Sequence, residues 1–350
     1  MTRLEFLKKI GFYSTTAWLL GFLNPRNLKG EMKGPPQTSS SDVMEPAYLN
    51  LYRNGQLEKR ADALWDMMRT CRLCPRQCGA KRLEGEKGFC QADGTLEISS
   101  YNPHFGEERP LVGRGGSGTV FFTNCSLRCV FCINWEISHG GVGQPSSADQ
   151  LASMMLALQN KGCHNINVVT PTHYAAHMVR ALDIAAARGL HLPLVYNTCG
   201  WENIEVLKML DGIVDIYLPD FKYADGTMAA RYSAGARDYP QITQNALLEM
   251  QRQVGTAIPG KDGIMQRGLM IRHLVMPNDV SGTQGVLKWI ADNLPKNTYV
   301  NLMSQYQPTF KAMDYPQIAR RITTAEYHQA VQTAKDLGLT NLEVQGYPIN

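Results

Sequence analysis

From Gly113 onward, short apolar runs rich in β-branched residues alternate with longer stretches in which apolar side chains return every three or four positions. The runs fall at 119–123, 165–170, 193–197, 213–218, 269–275 and 299–303. The helical spacing occupies 147–161, 174–188, 202–210, 243–254, 283–293 and, after the last run, 324–337. A period of two marks a strand and a period of 3.6 marks a helix. Six β-α units in series therefore predict an α/β fold, a parallel sheet covered by helices on its outer side. A curved, partly closed barrel and a doubly wound sheet both satisfy that count. In either one, functional groups gather at the carboxyl ends of the strands.

Upstream the pattern weakens. Ala61, Leu64, Trp65 and Met68 recur at helical spacing, so one or two helices are expected between residues 46 and 70. Residues 26–46 are rich in Pro, Ser, Gly and Lys and read as a linker. The first 25 residues combine Thr2-Arg3-Leu4-Glu5-Phe6-Leu7-Lys8, which resembles a twin-arginine export motif with Leu4 in place of the second arginine, with an apolar stretch from Ile10 to Leu23. Fourteen residues are short for a membrane span and suit a signal-peptide core or a short amphipathic helix. The expected division is thus 1–25 as a signal-like or anchor segment, 26–46 as a linker, 47–112 as a helical and cysteine-rich module, and 113–350 as the β-α body.

The 350 residues carry a net charge of +4, with 44% hydrophobic and 19% charged residues, and no Lys/Arg block stands out. This is the composition of a globular protein with no electrostatic footprint for nucleic acid. The nine cysteines change the picture more: seven of them fall in two tight groups. Cysteines two to four residues apart are poor disulfide partners, whereas several thiolates can converge on one metal centre. Reduced thiols point to the cytoplasm, while the twin-arginine-like start leaves export or membrane attachment open.

The sharper group is Cys125-Ser-Leu-Arg-Cys129-Val-Phe-Cys132, directly after the first run. Three thiolates hold three irons of a [4Fe-4S] cube and leave the fourth open. S-adenosyl-L-methionine (SAM) can chelate that iron, and one electron passed into its sulfonium breaks a C–S bond to give a 5′-deoxyadenosyl radical. A three-cysteine zinc site, or a thiol pair with a bystander, shares the spacing; the strand in front and the aromatic Phe131 before Cys132 favour the cluster. The second group, Cys71, Cys74, Cys78 and Cys90, has C-x2-C-x3-C-x11-C spacing and satisfies either a tetrahedral zinc or a fully ligated iron–sulfur cluster. Gly79, Gly85 and Gly88 allow tight turns around it.

The segment from Gly115 through Gly-Ser-Gly-Thr-Val-Phe-Phe-Thr-Asn-Cys125-Ser-Leu-Arg-Cys129-Val-Phe-Cys132 to Ser138 resembles the radical SAM proteins described as homologues of pyruvate formate-lyase activating enzyme. The resemblance runs from about Cys71 to the C-terminus. It implies a partial (β/α)6 radical SAM barrel behind a small cysteine-rich metal-binding module, reductive cleavage of SAM, and hydrogen abstraction, with a protein glycine as one target and a small molecule or another macromolecule as alternatives. A non-catalytic iron–sulfur protein that transfers electrons or senses redox state is the competing class. A flavodoxin or ferredoxin is the implied electron donor.

The resemblance also implies site residues. Phe131 would meet the adenine. Where activating enzymes carry a Gly-Gly-Glu-Pro turn, this chain has Thr170-Pro-Thr172-His173, so Thr170, Thr172 or backbone carbonyls would accept from the SAM ammonium. His173 reads either as a site residue or as a helix start near the surface. Asn197, in Asn197-Thr-Cys199-Gly200, would face the ribose, with Cys199 as packing. Lys222 would neutralise the SAM carboxylate and Asp220 would orient it, the alternative being a surface ion pair. Arg272 matches an inward arginine that grips a carboxylate bidentately, the alternative being an outward charge on an edge strand. The pattern of Cys71–Cys90 lies before the barrel, unlike the insert of some glycyl-radical activases.

Overall fold

A computed structural model describes residues 44–346; the signal-like segment and most of the linker lie outside the described residues. Ten strands form one sheet system: β1 Leu96–His104, β2 Ser117–Phe122, β3 Gln144–Ser146, β4 Ile166–Val169, β5 Leu194–Thr198, β6 Ile216–Pro219, β7 Ile258–Pro259, β8 Met265–Leu274, β9 Tyr299–Met303 and β10 Leu342–Val344. The spatial order is β10-β9-β8-β6-β5-β4-β2-β1-β3, with β7 antiparallel on β8. β2, β4, β5, β6, β8, β9 and β10 are parallel and follow chain order without a reversal. A doubly wound sheet must reverse its strand order at a switch point. The doubly wound alternative is therefore excluded, and the fold is the partial barrel, with the connecting helices packed on one face of the sheet.

The strands are near-continuously apolar because both faces are buried. Alternate residues go to different cores. Val120, Phe122, Ile166, Val168, Leu194, Tyr196, Tyr217, Ile271, Val300 and Leu302 pack under the helices. Val195, Ile216, Leu218, Met270 and Tyr299 point the other way and fill the lower barrel interior with Leu111. Each such side chain contributes about 1.5–3 kcal/mol on burial. Higher in the interior the same face turns polar, with Asn197, Asp220 and Arg272 at the strand ends. That change of chemistry along one face is what makes a site.

The helices Ala148–Asn160, Ala175–Ala187, Ile204–Met209, Tyr239–Val254, Thr283–Asn293 and Thr324–Asp336 connect the strands. The first and last begin with capping boxes, Ser147 with Gln150 and Thr323 with Glu326, which satisfy two otherwise orphaned N–H groups each. Ala175–Ala187 buries Ala175, Ala176, Ala181, Leu182, Ala185 and Ala186, small side chains that let it lie close against its neighbours. Before the barrel, helices Tyr48–Arg53 and Gln56–Asp66 pack on the same layer. The pair β1 and β3 extends the sheet antiparallel beyond β2. Among the described residues no helix is long and apolar enough to cross a membrane.

Candidate active site

The loop leaving β2 carries the cysteine triplet. Asn124 and Arg128 take left-handed backbone, φ 68° and 50°, which costs a non-glycine residue about 1–2 kcal/mol. With these turns the loop presents Cys125, Cys129 and Cys132 to one wall of a cavity of about 370 Å³, within the size range of small-molecule sites. Neighbouring elements clamp the loop. The Val130 N–H donates to the Tyr232 carbonyl at 2.9 Å, and the Lys311 N–H to the Val130 carbonyl at 3.0 Å. Each sulfur has its own donor: the Leu127 N–H to Cys125 at 3.4 Å, Ser233 Oγ to Cys129 at 3.1 Å and Ser138 Oγ to Cys132 at 3.1 Å.

Burial pushes the Cys129 thiol up to about 12 and raises Cys125, while Lys222 acts in the opposite direction on both. Donors on every sulfur and a nearby ammonium favour bound thiolates, and ligation to a metal displaces the protons that burial would otherwise retain. Three thiolates on one loop, each with a donor to its sulfur, are the donor set that a cube with one open iron requires, so the residues present fit the cluster.

The same cavity is lined by a charged cluster. Asp220 Oδ2 meets Lys222 Nζ at 2.5 Å and Asp220 Oδ1 meets Arg272 Nε at 2.8 Å. Arg272 Nη2 donates to Asn197 Oδ1 at 2.6 Å, and Nη1 lies 3.8 Å from Glu107. Burial alone would raise the Asp220 carboxyl, but Arg272 and Lys222 outweigh it and hold it below the usual carboxylate range. Burial works against Lys222 too, and Asp220 and Cys129 hold it above the usual ammonium range. Asp220 is thus held between two cations, Lys222 and Arg272, the second of which also faces Glu107. Neither alternative reading of these residues survives: the Asp220–Lys222 pair is buried rather than on the surface, and Arg272 stands on β8 between β6 and β9, not on an edge.

Phe131 and Thr170 also line the cavity. Phe131 is held edge-on by Tyr223 at 6.4 Å and tilted against Tyr306 at 5.9 Å. Thr170 takes φ 58° and donates its N–H to the Asn197 carbonyl at 2.9 Å. Thr172 is not brought to the cavity. The 3-10 turn Thr172–Tyr174 rotates it into the helix layer, where its hydroxyl donates to Glu202 Oε1 at 2.6 Å. His173 is buried rather than near the surface. Burial pushes its pKa down to about 3, so its neutral ring donates from Nε2 to the Thr123 carbonyl at 2.8 Å. Cys199, expected as packing, lines the cavity wall.

The second group also converges. Cys71, Cys74 and Cys90 are buried and Cys78 is exposed. A Cβ on Gly88 would lie 3.3 Å from Cys78 Sγ and 3.5 Å from Cys90 Sγ, so these two sulfurs flank the same glycine. Burial pushes Cys74 up to about 12, and the thiols of Cys90, Cys71 and Cys78 add to the effect. Arg82, fully buried, hydrogen-bonds the carbonyls of Asp93 and His173 and lies 3.9 Å from Cys71 Sγ. A buried guanidinium without a carboxylate is costly, and metal-bound thiolates would supply the missing negative charge.

Several residues here carry no local sequence signal. Ser233 reaches Cys129 across 104 positions. Glu107 enters from the loop after β1, 3.4 Å from His104 Nδ1, and its carboxylate raises the His104 pKa. Glu202 joins Thr172 and Thr198, the turns after β4 and β5. Ser138, by contrast, stands inside the motif that begins at Gly115 and was within reach of inspection.

No family model matches the chain. The uncharacterized protein MJ0674 of Methanocaldococcus jannaschii is 31% identical over 293 residues, which is 81% of this chain and 79% of that protein. Among solved structures, a radical SAM methyltransferase from Sphaerobacter thermophilus aligns with a TM-score of 0.42 and 13% identity, covering 65% of this chain and 66% of that one, just under two thirds of its length. Methylornithine synthase (PylB) aligns with a TM-score of 0.40 and 14% identity, over 63% of this chain and 68% of that one.

Proposed function

From the premise that this chain belongs to the family of the Methanocaldococcus jannaschii protein MJ0674, we propose that it is a radical SAM enzyme. The observation that carries the reading is one cavity lined both by Cys125, Cys129 and Cys132, each with a donor to its sulfur, and by the Asp220–Lys222–Arg272 cluster. When bound, a [4Fe-4S] cluster on the three thiolates supplies an open iron and one electron for cleavage of the SAM sulfonium.

The chain's own residues do the rest. Lys222 and Arg272 offer the positive charge that a SAM carboxylate needs, and Asp220 fixes both cations in place before any ligand arrives. Arg272 occupies the carboxamide oxygen of Asn197, which leaves the Asn197 amide group free to donate to a ribose hydroxyl. Phe131, wedged between Tyr223 and Tyr306, gives the adenine a fixed apolar edge. Thr170 offers an acceptor for the ammonium. Apolar walls from Phe121, Leu127, Val169 and Leu274 exclude water from a radical formed among them.

For the substrate we favour a polypeptide, including a glycine of a glycyl radical enzyme. Ile133, 61% exposed, sits at the cavity mouth, and Trp135 stacks on Phe310 at 5.2 Å beside it. Exposed apolar residues around a site mark a contact surface. A reduced flavodoxin or ferredoxin is the proposed electron source.

The test is direct. The protein is reconstituted with iron and sulfide without oxygen, then given SAM and dithionite. Release of 5′-deoxyadenosine is expected, together with a change in the cluster's EPR signal on adding SAM. An iron-loaded protein that gives neither would refute the proposal and favour electron transfer or sensing. An EPR doublet on a partner polypeptide would identify the glycine target.

A further inference from the structure

Three consecutive residues after β1 reach three neighbouring strands. Glu107 Oε2 faces Arg272 Nη1 on β8 at 3.8 Å, Glu108 Oε1 accepts from Asn301 Nδ2 on β9 at 2.9 Å, and Arg109 Nε lies 3.8 Å from Glu343 Oε1 on β10. β1 itself stands at the other end of the strand order, beyond β2. The segment therefore crosses from one margin of the open sheet to the other. Leu111, just after it, packs in the barrel interior with Met270 and Tyr299. Glu107 is placed by this crossing and held by the contacts of its neighbours in sequence.

The Glu107 side chain lines the cavity and is only 8% exposed. Asp220, in the same cavity, accepts hydrogen bonds from both Lys222 and Arg272. Glu107 accepts none from the described residues. Arg272 Nη1 is too distant for one, and His104 Nδ1, 3.4 Å away, is buried and out of alignment for one. A carboxylate so enclosed loses its water and needs donors in return. The carboxylate of Glu108 turns to Asn301 and does not line the cavity. Glu107 is thus the acid of this segment that a ligand in the cavity meets.

The approach to it is apolar. Arg272 pairs with Asn301 across β8 and β9, and Leu274 pairs with Met303 two residues farther toward the carboxyl ends, about 7 Å along the strands. Leu274 and Met303 line the cavity, as does Phe121, whose ring meets His104 edge-on at 6.1 Å. A group entering from the strand ends passes these side chains before it reaches Glu107. Lysine and arginine combine an apolar stem of about that length with a charged tip. We propose that Glu107 closes a subsite for a lysine or arginine side chain of a polypeptide substrate, its stem against Leu274, Met303 and Phe121 and its cation on the carboxylate, which His104 positions. The inference deepens the polypeptide reading of the same cavity and rests on it. A cation supplies charge-assisted hydrogen bonds to Glu107, whereas an uncharged apolar side chain leaves the carboxylate dry and without a donor.

The experiment uses the full-length, iron-loaded chain without oxygen and measures binding by calorimetry in the presence of SAM. The probes are N-acetyl-lysine-N-methylamide, its arginine counterpart, and N-acetyl-norleucine-N-methylamide, which keeps the stem and lacks the charge. Wild type should bind the lysine or the arginine probe at least about tenfold more tightly than norleucine. Glu107→Gln should remove that preference. Its affinity for SAM, titrated separately, should change by less than about fivefold, because Arg272 keeps Asp220 and Asn197 as partners. n-Butylammonium carries the same charge without a peptide backbone and should bind more weakly than the lysine probe.

Equal binding of norleucine and both cationic probes to wild type would overturn the inference, as would a cation preference that survives Glu107→Gln. A variant that loses SAM affinity at least tenfold while keeping the lysine preference would assign the carboxylate to the SAM ammonium instead. Equal binding of n-butylammonium and the lysine probe would overturn the polypeptide part. The comparison of probes on wild type needs no variant, so the inference stays testable if the substitution prevents folding. Absence of 5′-deoxyadenosine with dithionite, while the Glu107-dependent preference holds, would remove the radical SAM reading and leave the cation subsite standing. Release of 5′-deoxyadenosine without any such preference would remove the subsite alone.

Discussion

Thr170 adopts a left-handed backbone at φ 58°, where a β-branched residue is strained by about 1–2 kcal/mol. Glycine would fit there more cheaply, and the threonine lines the cavity, where we assign it a contact with SAM. Thr170→Gly should therefore raise the melting temperature of the protein while weakening SAM binding by about tenfold, the worth of one hydrogen bond in a dry site. Titration of SAM against the cluster's EPR signal reads the second effect. Equal affinity in the variant would assign the contact to the backbone. Lys222→Met tests the charged cluster. It leaves the Asp220–Arg272 pair intact and removes one of two cations, so SAM affinity should fall by at least about tenfold with iron content unchanged. Loss of iron instead would place Lys222 with the cluster's stability rather than with the cofactor.

The turn after β5 shows how elements, not only residues, build the site. Gly200 takes φ 80°, and a Cβ there would stand 2.0 Å from the Asp220 carbonyl. The close approach brings the 197–200 turn against the end of β6, which is how Asn197 and Asp220 come to share Arg272. Gly200→Ala should destabilise the fold by about 2 kcal/mol or more, combining a left-handed alanine with a backbone clash. Chemical denaturation checks it, and the midpoint should fall. The cysteine loop and the strands around it were legible for the opposite reason. Cys125, Cys129 and Cys132 lie within eight positions and follow an apolar run, so their convergence is a local property. The strands β1 and β3 were not legible, because Ser99, Ser100 and Asn102 break the apolar signal of a strand that sits outside the parallel set. β10 was missed for its three-residue length.

At the scale of the whole molecule, two buried carboxyls couple stability to pH. Burial raises Glu202 to about 7 despite hydrogen bonds from Thr172, Thr198 and Tyr196. Burial also raises Asp215 to about 6, opposed by the N–H groups of Ala47 and Leu194. Both bind protons more tightly folded than unfolded, where carboxyls titrate near 4. Their contribution is fully present below about pH 4 and is lost as pH rises through 6 and 7. Other groups set the acid limit, but between pH 5 and 8 these two should lower stability as pH rises. Glu202→Gln keeps acceptors for both threonines and cannot ionise. It should match wild type at pH 5 and exceed it at pH 8 in thermal melts, and an unchanged difference across that range would show that Glu202 is not the titrating group.

Sequence alone determined the β-α alternation, the six central strands and their helices, and the two cysteine groups, because periodicity and close spacing are set by neighbours along the chain. Tertiary structure alone decided that the strands keep chain order around one barrel, that Thr172 faces Glu202 rather than the cavity, and that Ser233 and Glu107 meet the cysteine and arginine clusters. Those contacts join residues tens of positions apart. They depend on which face each turn presents once the whole sheet has closed around its interior, and no local pattern encodes that choice.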